Sequence, residues 1–100
     1  MKNLFLATAI TAAAFFAIES TAQEEKTDPC ADLYSLATEI MTARQNNVPM
    51  PGLMAIMSGQ PALEAIVRDA YSHPAYSVKD NKQDAVNDFA NDIANACYAQ

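Results

Sequence analysis

Few residues in this chain could attack a substrate. Its single histidine, His73, follows Ser72 and precedes Pro74. A serine and a histidine could act as nucleophile and base, but direct neighbours in sequence rarely reach the hydrogen-bond geometry that such a pair requires. A loop histidine that is solvated or bonded to the backbone is the simpler interpretation. We therefore expect no catalytic residue and no enzyme activity.

The two cysteines, Cys30 and Cys97, could bind a metal or bond to each other. Two thiols and one imidazole are too few for a tetrahedral zinc site. A lone reactive thiol is excluded if the two are bonded, and pairing is the default in an exported protein. We expect a structural disulfide, no metal and no cofactor.

An acidic series recurs every four residues in the C-terminal part of the chain, at Asp80, Asp84, Asp88 and Asp92. Like charges at this spacing on a helix repel, and aspartate is a mediocre helix former, so stability alone would not select them. A calcium loop needs ligands on alternate residues around a glycine turn, which this series lacks. Two interpretations remain: a solvated face, or a ridge of Asp84, Asp88 and Asp92 that binds a basic protein.

A second candidate surface is a methionine series at Met50, Met54 and Met57, which are spaced by four and three residues. Methionine side chains are flexible and fill gaps in a core, but they also form deformable binding patches. The sequence leaves both interpretations open, core packing and partner binding.

These residues must be positioned by an exported domain. Lys2, an apolar run over residues 4–18 and the sequence Ser20-Thr21-Ala22 predict a signal peptide over residues 1–22. The run is shorter than the roughly 20 residues that span a bilayer, so we expect no membrane span in the mature chain. We predict a periplasmic or secreted protein with a flexible leader at 23–27 and a single domain at 28–100.

Short sequence signals mark the start and the end of the first helix. Asp28-Pro29 predicts the start of the first helix, and Asn46-Asn47 predicts its end. Its expected inward face consists of residues spaced by three and four, namely Leu33, Leu36, Ala37, Ile40, Met41 and Arg44. Two prolines in residues 48–52 predict a rigid corner outside any helix.

The remaining elements complete an all-α domain. We predict a short helix at 53–57, a third helix from Pro61, a loop at 71–79 and a last helix at about 80–98. The inward seam of the last helix is Val86, Phe89, Ile93 and Cys97. A bond between Cys30 and Cys97 requires antiparallel first and last helices. The predicted fold is a small disulfide-closed bundle of about four helices.

Several short motifs accompany this pattern: Cys30, Ala43-Arg44-Gln45, Val48-Pro49-Met50, Ala70-Tyr71 with Pro74 and Tyr76, Phe89, and Cys97. In them the chain resembles short exported proteins of proteobacteria and their prophages, mostly without assigned function. The resemblance implies an exported helical protein and brings no active site with it. Those proteins often have a glycine before Val-Pro-Met, where this chain has Asn47, which tolerates the same left-handed backbone.

The charge narrows the expected partners. At a formal net charge of −6, nucleic acid and anionic membrane surfaces are poor partners. We expect a non-enzymatic periplasmic interaction protein, of the inhibitor, immunity or envelope-accessory type, whose partner is a basic envelope or cell-wall-acting protein. The alternatives are an acid-stress chaperone and a small-ligand carrier, although a chain of this size can scarcely enclose a ligand cavity.

Overall fold

The structure is a computed structural model that describes residues 27–100. Over this range the chain forms no strand and four helices: α1 at Pro29–Gln45, α2 at Met50–Ile56, α3 at Pro61–Tyr71 and α4 at Lys79–Tyr98. The predicted all-α class is therefore confirmed. The predicted signal peptide at 1–22 lies outside the described residues, as does the predicted leader except Thr27.

Helix α1 begins at the predicted cap. Asp28 has an extended backbone, and its carboxylate accepts hydrogen bonds from the N–H groups of Cys30 and Ala31, at 3.1 and 3.4 Å. Pro29 occupies the start of the helix, where a missing N–H costs nothing because no carbonyl would receive it. The Asp-Pro pair thus starts α1 by local chemistry alone.

The end of α1 is a left-handed cap. Asn47 has φ 63°, and its N–H donates to the carbonyl of Arg44 at 3.1 Å. The N–H of Val48 donates to the carbonyl of Ala43 at 3.0 Å, which completes a Schellman motif. The left-handed conformation expected of an asparagine at this place is confirmed.

The corner predicted at 48–52 is wrong in part, because α2 begins at Met50 and not at Leu53. Pro49 caps the helix with an extended backbone, at φ −63° and ψ 137°, and Pro51 lies in its first turn. A proline in the first turn loses no hydrogen bond, since the N–H groups there have no partner within the helix. The two prolines therefore start a helix where we expected them to prevent one.

The core lies where α1 meets α4 and α3. Helix α1 packs mainly against α4 and less extensively against α3, while α2 packs against α3. The buried apolar residues come from α1, α3 and α4, together with Met57 directly after α2: Ala37, Ile40, Met41, Met57, Ile66, Val67, Ala70, Val86, Phe89 and Ala90. Of the predicted seam of α4, Val86 and Phe89 are buried and Ile93 is half-buried. None of the helices described is both long and apolar enough to cross a membrane.

A disulfide closes the domain. Cys30 in the first turn of α1 is bonded to Cys97 in the last turn of α4, with their Cα atoms 5.7 Å apart. Both the predicted disulfide and the antiparallel arrangement of first and last helices are confirmed. A bond across a 67-residue separation restricts the unfolded chain strongly, which corresponds to about 4 kcal/mol in the chain-entropy treatment.

Candidate functional site

The acidic ridge, defined as Asp84, Asp88 and Asp92, lies on the exposed side of α4. Residues four apart on a helix share a face, and the opposite face of α4 is buried through Val86, Phe89 and Ala90. In residues 27–100 the one contact within ion-pair distance lies between Nε2 of His73 and the Asp69 carboxylate, and it involves no ridge residue. The ridge carboxylates therefore lie in solvent without a cationic partner in the described part of the chain.

Lys82 is the nearest basic residue before the ridge in sequence, and none follows it. Its ammonium group donates a hydrogen bond to the backbone oxygen of Gln45 at the end of α1. A cation suits this place because the C-terminal carbonyls of a helix carry partial negative charge. Lys82 thus fastens α4 to α1, and the C-terminal half of α4 presents only negative charge.

A recess of about 210 Å³ lies between α4 and the loop at 72–78. Its lining combines rings, carboxylates and a small side chain: His73, Tyr76, Ala85, Asp88, Phe89 and Asp92. The rings of His73 and Phe89 meet edge to face, with centroids 5.5 Å apart and planes inclined by 73°. Two residues of the acidic ridge therefore form part of the wall of an aromatic recess.

The loop is attached to α1 through the buried amide of Gln45, which is only 2% exposed. The side-chain Nε2 of Gln45 donates to the carbonyl of Pro74 at 2.9 Å, and its Oε1 accepts from the N–H of Tyr76 at 2.8 Å. A buried amide is costly unless both of its ends are bonded, and here both are. This side chain fixes the position of Tyr76 at the recess.

Arg44 attaches the preceding residues of the same loop. Its Nε donates to the carbonyl of His73 at 2.9 Å, and its guanidinium carbon lies 5.3 Å from the centroid of the Tyr71 ring. The hydroxyl of Tyr71 donates to the carbonyl of Val48 at 2.5 Å. Burial raises the pKa of Tyr71, and the nearby charge of Arg44 partly opposes this. The C-terminal end of α1 thus holds the loop at His73 through Arg44, and at Pro74 and Tyr76 through Gln45.

Ser72 and His73 each contact Asp69 near the end of α3. The Ser72 hydroxyl donates to the backbone carbonyl of Asp69 at 2.6 Å, and Nε2 of His73 lies 3.6 Å from the Asp69 carboxylate. The serine therefore caps the end of α3, while the histidine belongs to the lining of the recess.

The methionine series divides between the core and its edge. Met57 is buried, at 8% exposed, and Met50 and Met54 are half-buried and pack against the core. The large apolar side chain that α2 exposes is Ile56, at 69%. The free surface of α2 is consequently centred on Ile56, which the methionine spacing did not indicate.

A further contact joins the chain ends beside the disulfide. The hydroxyl of Tyr98 donates to the Asp28 carboxylate at 2.7 Å. This bond lowers the pKa of Asp28, with help from the N–H groups that the carboxylate caps, and it raises the pKa of Tyr98. The side chain that starts α1 is thereby linked to the end of α4.

Sequence reasoning missed Gln45 and Tyr76 as determinants of this site. We expected Arg44 on the inward face of α1, whereas Arg44 is half-buried and Gln45 is buried. Gln45 follows Ala37 and Met41 at four-residue intervals, and this spacing could have identified it. Nothing in the sequence indicates that Pro74 and Tyr76 are the partners of its amide.

The arrangement offers negative charge and aromatic surface, which together suit an organic cation. Among residues 27–100 no three histidine, cysteine or carboxylate side chains are grouped so that they could hold a metal ion. Comparison with protein-family models, with curated proteins and with solved structures finds no match to this chain.

Proposed function

We propose that this protein is a non-enzymatic interaction protein of the periplasm, of the inhibitor, immunity or envelope-accessory type. It binds a basic envelope or cell-wall-acting protein through the acidic ridge of α4. The observation that carries this proposal is the exposure of Asp84, Asp88 and Asp92 on one helix face without a cationic partner among the described residues.

The physical advantage of such a ridge lies in association. Three carboxylates on a rigid helix attract a basic surface over several ångströms, and salt screens that attraction. Aspartate side chains are short, so docking immobilises little side-chain entropy. The disulfide supports the rigidity of α4 because it joins the last turn of that helix to α1.

The disulfide also supports an extracytoplasmic compartment. Stable disulfides form and persist in oxidising surroundings such as the bacterial periplasm and are rare in the cytosol of mesophiles. The bond between Cys30 and Cys97 leaves no free cysteine in the chain. Together with the expected signal peptide at 1–22, this favours export.

The test uses the oxidised mature protein as bait in an envelope extract, followed by association kinetics with the captured protein. The triple variant Asp84→Asn, Asp88→Asn, Asp92→Asn keeps side-chain size and removes three charges. We expect slower association of this variant, and a wild-type affinity that falls as salt is added.

A matched control separates the ridge from total charge. Asp84→Asn with Asp88→Asn removes two charges from α4, and Asp32→Asn with Glu39→Gln removes two from exposed positions of α1. We expect only the α4 variant to slow association severalfold. Equal rates for the wild type and the triple variant at low salt would contradict the proposal.

An acid-stress chaperone is the second candidate, and the exposure of Ile56 on α2 favours it. Helix α2 is the shortest of the four helices, and none of its residues is fully buried. A chaperone of this kind would change oligomeric state and suppress aggregation of other proteins as the pH falls. Sedimentation at pH 7 and pH 3 separates the two functions.

The geometry gives little support to the third function, a small-ligand carrier. The recess beside α4 has about 210 Å³, below the roughly 300–1,000 Å³ of most small-molecule sites.

A further inference from the structure

The recess beside α4 combines aromatic rings with carboxylates. Tyr76 and His73 line it from the loop, and Phe89, Asp88 and Asp92 line it from α4. Tyr76 is 41% exposed and His73 lies partly in solvent, so the rings can be reached from outside. A recess of about 210 Å³ is of a size for one side chain and not for a larger ligand.

We propose that this recess receives one arginine side chain of the basic partner. The inference rests on the proposed function, because it assigns the contact through which the acidic ridge would recognise that partner. A guanidinium is attracted to the faces of aromatic rings, and it donates to carboxylates through a planar fork of five N–H groups. Asp88 and Asp92, one turn apart on α4, can accept from the same guanidinium.

Arginine suits the recess better than lysine for two reasons. Its planar group stacks on rings and is more weakly hydrated than an ammonium, so it loses less on entering an aromatic recess. Its donors are spread over a fork, whereas lysine presents a compact point charge that favours a single carboxylate. The test must therefore distinguish arginine from lysine as the side chain that occupies the recess.

Among residues 27–100, no lysine or arginine side chain lines the recess. Arg44 is used on the other side of the loop, where it holds His73 and lies over Tyr71, and Lys82 is used at the end of α1. The negative charge of Asp88 and Asp92 thus remains available to a cation from another molecule.

The recess is formed before any partner binds. The buried Gln45 amide holds the loop at Pro74 and Tyr76, and Arg44 holds it at His73. A preformed site avoids the entropy cost of ordering a loop on binding. An arginine entering here would need to order only its own side chain.

The experiment titrates Nα-acetyl-arginine amide into oxidised, isotope-labelled protein. Binding is followed by NMR at the backbone and aromatic signals of the recess. The control is Nα-acetyl-citrulline amide, which keeps the shape and removes the charge. We expect saturable shifts confined to the recess, with a dissociation constant on the order of 1 mM, from the arginine compound alone.

Variants locate the binding. Asp88→Asn with Asp92→Asn should weaken it by about tenfold, and Tyr76→Leu, which alters no charge, by about threefold. Asp84→Asn removes a ridge charge outside the recess and should change little. Equal shifts from citrulline, equal binding of acetyl-lysine amide, or shifts spread along the whole ridge would overturn the proposal.

The same variants distinguish this proposal from the proposed function. If the captured partner binds Tyr76→Leu as tightly as wild type but loses affinity for the triple ridge variant, the recess proposal fails and the ridge stands. If the arginine compound occupies the recess but the partner binds the triple ridge variant as tightly as wild type, the proposed function fails. The citrulline comparison uses wild-type protein, so it tests the recess proposal even if a variant fails to fold.

Discussion

The two ends of the α1–α4 pair are held together by different means. At one end a disulfide joins Cys30 to Cys97, and Tyr98 bonds to Asp28 beside it. At the other end Lys82 of α4 donates to the backbone oxygen of Gln45, and the buried amide of Gln45 holds the 72–78 loop. The covalent end restrains the unfolded chain, whereas the Gln45 end acts only once the fold has formed.

This difference bears on function because the recess lies at the end that depends on hydrogen bonds. A disulfide stabilises the whole domain and positions no side chain of the recess. The bonds of Gln45 and Arg44 position Tyr76 and His73 directly. We therefore expect substitutions at the disulfide end to change the stability of the whole domain. Substitutions at the Gln45 end should first change the recess.

The largest effect should follow loss of the disulfide. Replacing Cys30 and Cys97 by alanine should lower the free energy of unfolding by about 4 kcal/mol, because the reduced chain gains entropy when unfolded. Denaturant unfolding of the variant and of reduced wild type provides the measurement. A decrease in the free energy of unfolding below about 1 kcal/mol would contradict the view that the disulfide stabilises the whole domain.

The next largest effect is expected at the opposite end. Gln45→Ala leaves the Pro74 carbonyl and the Tyr76 N–H unpaired and opens a cavity, which should cost about 2–3 kcal/mol. Amide hydrogen exchange should rise first at residues 72–78, and the arginine compound should no longer bind. Arg44→Lys is the milder control, since it keeps the charge. Unchanged exchange in the loop would show that Gln45 does not hold it.

A third prediction concerns α2, away from the disulfide. Met54→Asp places a charge on a half-buried side chain that packs on the core, and should cost about 1–2 kcal/mol. Ile56→Asp is the matched control on the same helix, and at 69% exposure it should change stability by less than about 0.5 kcal/mol. Thermal unfolding of the pair gives the answer, and equal midpoints would remove Met54 from the core.

The smallest effect belongs to the contact between Tyr98 and Asp28. Tyr98→Phe removes the hydroxyl that lowers the pKa of Asp28, so that pKa should rise toward its ordinary value. A carboxylate with a lowered pKa stabilises the fold above its unfolded pKa, and this contribution disappears as the pH falls through the folded value.

The variant should accordingly show a slightly lower unfolding midpoint than wild type at pH 7, and the gap should close under strongly acidic conditions. The raised pKa of Tyr98 gives the opposite dependence: its contribution is present at neutral pH and is lost as the pH rises through the folded value of Tyr98. A gap that widens on acidification would contradict the assigned bond.

Much of the fold could be predicted because its signals act over a few residues. A cap such as Asp28 bonds to N–H groups two and three positions away, and Asn47 ends α1 by its own backbone conformation. The prolines near α2 were the exception. A proline can precede a helix or end one, and neighbouring residues did not distinguish the two at Pro49 and Pro51.

The candidate site was predictable only in its charges. The four-residue spacing of Asp84, Asp88 and Asp92 placed them on one exposed face, since helical periodicity alone decides that. The aromatic lining of the recess was not predictable, because Tyr76 lies on a loop whose course depends on Gln45. Gln45 itself lies 31 residues from Tyr76.

By itself, then, the sequence determined the helical class, the caps at Asp28 and Asn47, the disulfide and the acidic face of α4. Only the tertiary structure decided that Gln45 is buried, that Tyr98 meets Asp28, and that two ridge carboxylates share a recess with three rings. The physical reason is the range of the interactions. Caps and periodicity are complete within a turn or two of helix, whereas a buried amide finds its partners only after distant segments have packed.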